Sequence, residues 1–150
     1  MTHAEDAEMS PAEIDAFLDR TRTGVISLAR EGEPYAVPIS YGYDTDDRTF
    51  YVRLVSTPGS RKRSFLDSSP AATLVVSEAG NNGTHRSVLA TGYLERVDPE
   101  ELSPAQITQY GAAERPLFEL WGVDRADLDI QLYELHPTEL TGRQTAFDRD

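Results

Sequence analysis

What most limits the fold of this chain is a series of short strand-like segments cut by turn signals. From residue 24 it reads "GVISLAR", "EGE", "PYAVPISYGY", "DTDDR" and "TFYVRLV". The longer segments are rich in β-branched and aromatic residues, while the breaks carry Gly or Asp, the pattern of strands joined by tight turns. These three predict an antiparallel meander. "AATLVVS" and "HRSVLATGYLERV", separated by "EAGNNGT", predict a second hairpin, and "DIQLYELHP" a final strand that ends the domain. Short strands at regular spacing with few helices between them predict a mainly β fold, a small barrel with flanking helices. Pro38, inside the second segment, marks an edge, a bulge or a barrel corner, because proline cannot donate to a ladder.

Two stretches read as helical. In "SPAEIDAFLDRT", Ser10 caps, Pro11 suits the first position, Glu13 completes a capping box, and Ile14, Phe17 and Leu18 share one face to cover a sheet. Residues 99–121 are helical or irregular, with Ser103 and Pro104 as a start and Leu117, Phe118, Leu120 and Trp121 as packing material.

The 150 residues fit one domain, taken as 1–150, and no apolar run approaches the ~20 residues of a membrane-spanning helix. The start, "MTHAEDAEMS", lacks the cationic and apolar stretches of a secretion signal, so the expected compartment is the cytoplasm. Without cysteine there is no thiolate nucleophile and no thiolate zinc site. His3, His85 and His136 show no metal-ligand spacing, so no metal site is expected. A net charge of −12 opposes nucleic-acid binding, which needs a broad positive surface. Acid excess with almost no lysine also suits a salty cytoplasm, a hypothesis that salt-independent stability would refute.

Against that charge, "PGSRKRSF" stands out, because Lys62 is the only lysine and lies between Arg61 and Arg63. "SRKRSFLD" reads as one short helix with Ser60 as cap and Phe65 and Leu66 turned to the core. Three cations then fall in a first turn, where the dipole already points positive and N–H groups lack partners. A bound anion reverses the sign of that placement. A phosphate monoester would take the backbone N–H groups, the Ser60 hydroxyl, the planar fork of Arg61 and the point charge of Lys62. Each charge-assisted contact contributes roughly 1.5–3 kcal/mol, against roughly 0.3–1 kcal/mol for a misplaced charge at a helix end. The plainer alternative is a solvated face in which the cations balance Asp46, Asp47 and Asp67. "VPISYGYD" likewise reads either as an ordinary strand or as a wall for a flat ring.

The order "PYAVPISYGYD", "FYVRL", "PGSRK", a strand, "RSVLATGYLERV" and a late "ELTGR" resembles the FMN-binding split-barrel family typified by pyridoxamine 5′-phosphate oxidase, continuously over residues 14–98 and more loosely in the final strand. The resemblance implies a six-stranded antiparallel split β-barrel with a few flanking helices, and FMN as cofactor. It implies that Ser60, Arg61 and Lys62 hold the phosphate. The strand of Val37, Pro38, Ile39, Ser40 and Tyr41 would lie along the ring edge, with Tyr51, Val52 and Arg53 beside it. Arg86 and Ser87 match a position reaching the flavin of a partner subunit, which implies a homodimer with two flavins at its interface. Ala36 and Tyr41 replace the arginine and lysine that bracket the family's ring strand, so some phosphate or ring contacts there are either missing or rebuilt, with Arg53 a candidate. The C-terminal tryptophan-and-arginine pattern for pyridoxal phosphate is absent, whereas "YELHPTELTGR" resembles the nitroimidazole-resistance-like branch.

The resulting expectation is a flavin-dependent oxidoreductase passing hydride from NADH or NADPH through FMN to a small organic acceptor, on a substrate other than vitamin B6. No catalytic side chain is assigned, since the cofactor carries the chemistry. The alternatives are a non-enzymatic flavin or deazaflavin carrier or sensor, a ligand-free dimeric module and, last, a haem protein using His85 or His136. Tyr41, Tyr43 and Tyr51 either flank the ring or simply pack. His85 reads as a loop or strand-start residue.

Overall fold

A computed structural model describes residues 3–56, 64–66, 71–80, 83–112 and 129–148. The strands are β1 (His3–Glu8), β2 (Thr23–Arg30), β3 (Glu33–Asp44), β4 (Thr49–Ser56), β5 (Ala71–Ala79), β6 (His85–Val97) and β7 (Asp129–Asp148). The helices are α1 (Pro11–Thr21) and α2 (Pro104–Ala112), with a 3-10 turn at Pro99–Glu101 and a helical turn over 64–66. Strand order is β1-β7-β4-β3-β2-β5-β6, and the extra β6–β7 pairing closes six strands into an antiparallel barrel, with β1 appended to β7. The meander β2–β3–β4 and the hairpin β5–β6 match the sequence expectation.

β3 turns a corner of the barrel. Its residues from Glu33 to Ser40 pair with β2, and only from Tyr41 to Asp44 does it pair with β4. Pro38 lies in the first part, opposite Val25, where β4 has not yet joined and the missing N–H costs no second ladder. Odd-numbered residues Ile39, Tyr41 and Tyr43 face the core, so Pro38, Ser40 and Gly42 face outward.

The last strand does not end at Pro137. β7 runs for 20 residues and continues through "TELTGRQTAFD", where it pairs with β6 on one side and with β1 on the other. A register shift at Thr91/Gly92 sets Gly92 opposite Pro137. A Cβ at Gly92 would collide with the His136 carbonyl, so only glycine allows the two backbones this close.

α1 forms as its capping box predicts: Glu13 N–H donates to Ser10 Oγ at 3.2 Å and Ser10 N–H to Glu13 Oε1 at 3.0 Å. The Ser10 backbone N–H, with the Ser10 and Gln144 side chains, holds the Glu13 carboxyl below the usual carboxylate range. Ile14, Phe17 and Leu18 are buried in the main core with Ile26, Phe50, Val52, Leu74, Val88 and Leu135. Each such side chain contributes about 1.5–3 kcal/mol by leaving water. Ser103 and Gln106 cap α2 reciprocally, Ser103 N–H donating to Gln106 Oε1 at 2.8 Å and Gln106 N–H to Ser103 Oγ at 3.2 Å. α2 lies against β3 so closely that a Cβ on Gly42 would strike the Gln109 carbonyl. Leu117, Phe118, Leu120 and Trp121 lie outside the described residues. Among the described residues no helix is long and apolar enough to cross a membrane.

Candidate functional site

The outer face of β3 and β4 is where the predicted ring-binding residues converge. On β4, Phe50, Val52 and Leu54 point into the barrel, which turns Tyr51 and Arg53 outward beneath α2. Tyr51 forms a second apolar cluster with Tyr110 and Leu132, the two phenol rings edge-on at 5.4 Å. The Tyr110 hydroxyl donates to the Tyr133 carbonyl at 2.9 Å, fixing α2 to β7. Burial, with the Glu134 carboxylate nearby, pushes the Tyr51 phenol up to about 12 and raises Tyr110 in the same way. Both hydroxyls therefore keep their protons at neutral pH.

Beside this cluster opens a cavity of about 440 Å³ whose walls include Leu102, Ile107, Tyr110 and Leu132, with Arg53 as its cation. One step past the last β3–β4 ladder pair, Tyr41 with Val52, come Ser40 and Arg53. The Ser40 Oγ is buried and has no hydrogen-bond partner among the described residues. A buried hydroxyl in that condition costs about 1–3 kcal/mol unless something bonds to it. The backbone edge of β3 ahead of Tyr41 likewise has no strand opposite β2 among the described residues.

Not every predicted residue offers a side chain. Val37, Ile39, Tyr41 and Val52 point inward, so the backbone is what they present to the outer face. The Tyr41 hydroxyl bonds the Leu18 carbonyl and Thr21 Oγ1, each at 2.8 Å, and Tyr43 donates to Asp15 Oδ1 at 2.7 Å. These two tyrosines pack and anchor α1; Tyr51 alone of the three reaches the outer cluster.

Ser60, Arg61 and Lys62 lie outside the described residues. The turn just after them is anchored as the sequence predicts, with Phe65 and Leu66 buried. Phe65 stacks on Tyr35 of β3 at 5.3 Å, the Arg30 guanidinium lies over the same ring at 5.1 Å, and Arg30 also bonds Ser64 Oγ. The basic segment thus leads into a turn fastened to the start of β3.

Arg86 and Ser87 sit elsewhere. Arg86 is 3.8 Å from Glu78, which Arg20 holds in a two-pronged contact at 2.6 and 3.1 Å. The Arg20 guanidinium lowers the Glu78 carboxyl, and that pairing raises Arg20. On β7 the partner of Arg86 is Gln144 and that of Tyr51 is Glu134, a separation of roughly 30 Å of strand. Within one chain the two predicted groups do not meet. The cavity walls from α2 and the 3-10 turn were not foreseen, because their contact with β4 depends on tertiary docking rather than on any local motif.

The sequence pattern of the pyridoxamine 5′-phosphate oxidase family matches residues 10–144. No curated protein matches significantly. Among solved structures, a FAD-binding protein from Mesorhizobium loti is 22% identical with a TM-score of 0.70, over 96% of this chain and 99% of that one. A candidate 5-nitroimidazole antibiotic resistance protein from Bacteroides thetaiotaomicron is 15% identical at 0.71, over 99% and 96%. A haem-binding protein from Mycobacterium smegmatis is 18% identical at 0.59, over 89% of this chain and 54% of that one.

Proposed function

We propose that this chain, which belongs to the pyridoxamine 5′-phosphate oxidase family over residues 10–144, binds a flavin against the outer face of β3 and β4 and works as an oxidoreductase on a small organic acceptor. The observation that carries the reading is the buried, unpartnered Ser40 hydroxyl beside Arg53, on the strand pair expected to take the ring. A flavin edge is rich in carbonyl and ring-nitrogen groups, so it matches a hydroxyl, a guanidinium and a backbone edge that no strand covers among the described residues. Leu102, Ile107 and Leu132 give the neighbouring cavity apolar walls. A bound flavin supplies hydride and electron transfer, with a reduced nicotinamide as the donor we favour; the protein orients and shields it.

FMN is the form we favour, because Ser60, Arg61 and Lys62 offer a terminal phosphate a complete set of donors. FAD-binding among similar structures keeps the dinucleotide as the competing form. We further propose a homodimer. The outward faces of β2, β5 and β6 form an uncharged row, Val25–Val75–Leu89 flanked by Ser27, Thr73 and Thr91, in a chain that is 27% charged. A second copy there would cover Val25 and Leu89, which are 39% and 47% exposed, and would bring Arg86 and Ser87 toward the partner's flavin.

Freshly purified protein should be yellow, or become so with FMN, and mass analysis of the released ligand identifies the form. Colourless protein that takes up neither FMN nor FAD refutes the proposal. Flavin binding without steady-state turnover of NADH or NADPH leaves a carrier in place of an enzyme. Sedimentation at the monomer mass, with flavin bound, refutes the dimer.

A further inference from the structure

On the outer face of the seam between β6 and β7, Glu95 and Glu134 are direct cross-strand partners, and His136 follows two residues on along β7. Like charges directly opposite each other in a sheet destabilise it. This pairing occurs in a chain already carrying −12, so positive charge beside it is stabilising. The imidazole provides only part of it. His136 Nε2 lies 3.0 Å from Glu95 Oε2 and 3.2 Å from Glu134 Oε2. One ring nitrogen carries at most one proton, and a single N–H cannot serve two carboxylates well.

We propose that Glu95, Glu134 and His136 form a binding site for a divalent transition-metal cation, of which Zn²⁺ is the representative. Two carboxylates with a neutral imidazole carry −2, the charge such a cation cancels. The donor set of one imidazole nitrogen and two carboxylate oxygens suits zinc and its first-row neighbours. At metal–ligand distances of about 2.1 Å, adjacent donors are ~3.0 Å apart in an octahedron and ~3.4 Å in a tetrahedron. The two observed separations from Nε2 fall in that interval, and all three donor atoms lie within 4.8 Å of one another. The surroundings already aim the ligands. Gln106 of α2 donates to the other oxygen of Glu134, Oε1, at 2.8 Å, which leaves Oε2 toward the histidine. The Tyr93 ring lies against the imidazole at 5.2 Å. The Glu95 side chain is 62% exposed, which leaves the remaining coordination positions to water. The cation would clip β6 to β7 and, through Gln106, steady α2 over the barrel.

This site is independent of the flavin proposal, and so is its test. Untagged full-length protein, stripped with a chelator, is titrated with ZnCl₂ by calorimetry. One cation per chain should bind. Glu95→Gln and His136→Gln should each weaken that binding at least ~10-fold, while His85→Ala leaves it unchanged. Because Glu95 is exposed, its amide variant keeps the fold and carries the test even if a change at His136 does not. No uptake, or uptake that survives both substitutions, overturns the assignment.

Discussion

Tyr41→Phe removes one oxygen and keeps the ring. The Tyr41 hydroxyl, the Thr21 hydroxyl and the carbonyls of Leu18 and Phe17 make three contacts of 2.8 Å, but the two hydroxyls supply only two protons between them. The arrangement satisfying most groups has Thr21 donating to Phe17 and Tyr41 donating to Leu18, one of the last carbonyls of α1. Removing the Tyr41 oxygen loses that bond, a net of about 0.5–1.5 kcal/mol, and leaves a buried carbonyl short of a donor, for a total of about 1–2.5 kcal/mol. No cavity forms, since the ring stays in its contact with Phe50 at 5.3 Å. For a domain of this size the loss lowers Tm by about 3–8 °C, and the urea midpoint by about 0.5–1 M. Denaturation followed by circular dichroism measures both, and a cycle with Thr21→Val isolates the hydroxyl pair. A variant with unchanged midpoint but weaker flavin binding would refute the assignment of this hydroxyl to α1.

Arg61→Ala with Lys62→Ala should weaken FMN binding by more than ~100-fold in fluorescence titration, with the dichroism spectrum unchanged. Ser40→Ala removes the partnerless buried hydroxyl, so it should not lower Tm, while flavin affinity falls by up to ~10-fold; an unchanged Kd excludes that hydroxyl from the site. Gly42→Ala drives a methyl group into the Gln109 carbonyl and should cost about 1–3 kcal/mol in a thermal melt. At alkaline pH, Tyr51 and Tyr110 hold their protons more tightly folded than unfolded. The stability they contribute is complete below pH 10.0 and is lost as pH rises through about 12 for Tyr51. Phenolate absorbance should accordingly appear in step with unfolding for these two rings.

The elements readable in the sequence are those whose signals are local. α1 carried its capping box and apolar face within twelve residues, and β2 to β4 carried alternation and turn residues. β1 carried neither: "HAEDAE" is acidic and lacks an apolar face, and it is a strand because β7 extends far enough to pair with it from Glu8 to His3. β7 was cut short because Pro137 reads as a stop, whereas the register shift at Gly92 accommodates it. At the candidate site, Tyr51, Arg53 and Ser40 are named by the family resemblance alone. Leu102, Ile107, Tyr110 and Leu132 were not legible, since what joins them to Arg53 is the docking of α2. Nor were Glu95, Glu134 and His136, since antiparallel register brings them together across a long stretch of sequence.

β7 touches β1, β4 and β6, and it comes last in chain order among the described strands. Before it arrives, the β2–β3–β4 meander and the β5–β6 hairpin can pair, but both flanks remain open, with the inward faces of Phe50 and Leu94 still waiting for Leu135. Closure is therefore topologically late, a high-contact-order event that must precede aggregation through two bare sheet margins. Selection for prompt folding should accordingly act on the twenty positions of β7 as strongly as on anything that touches a ligand.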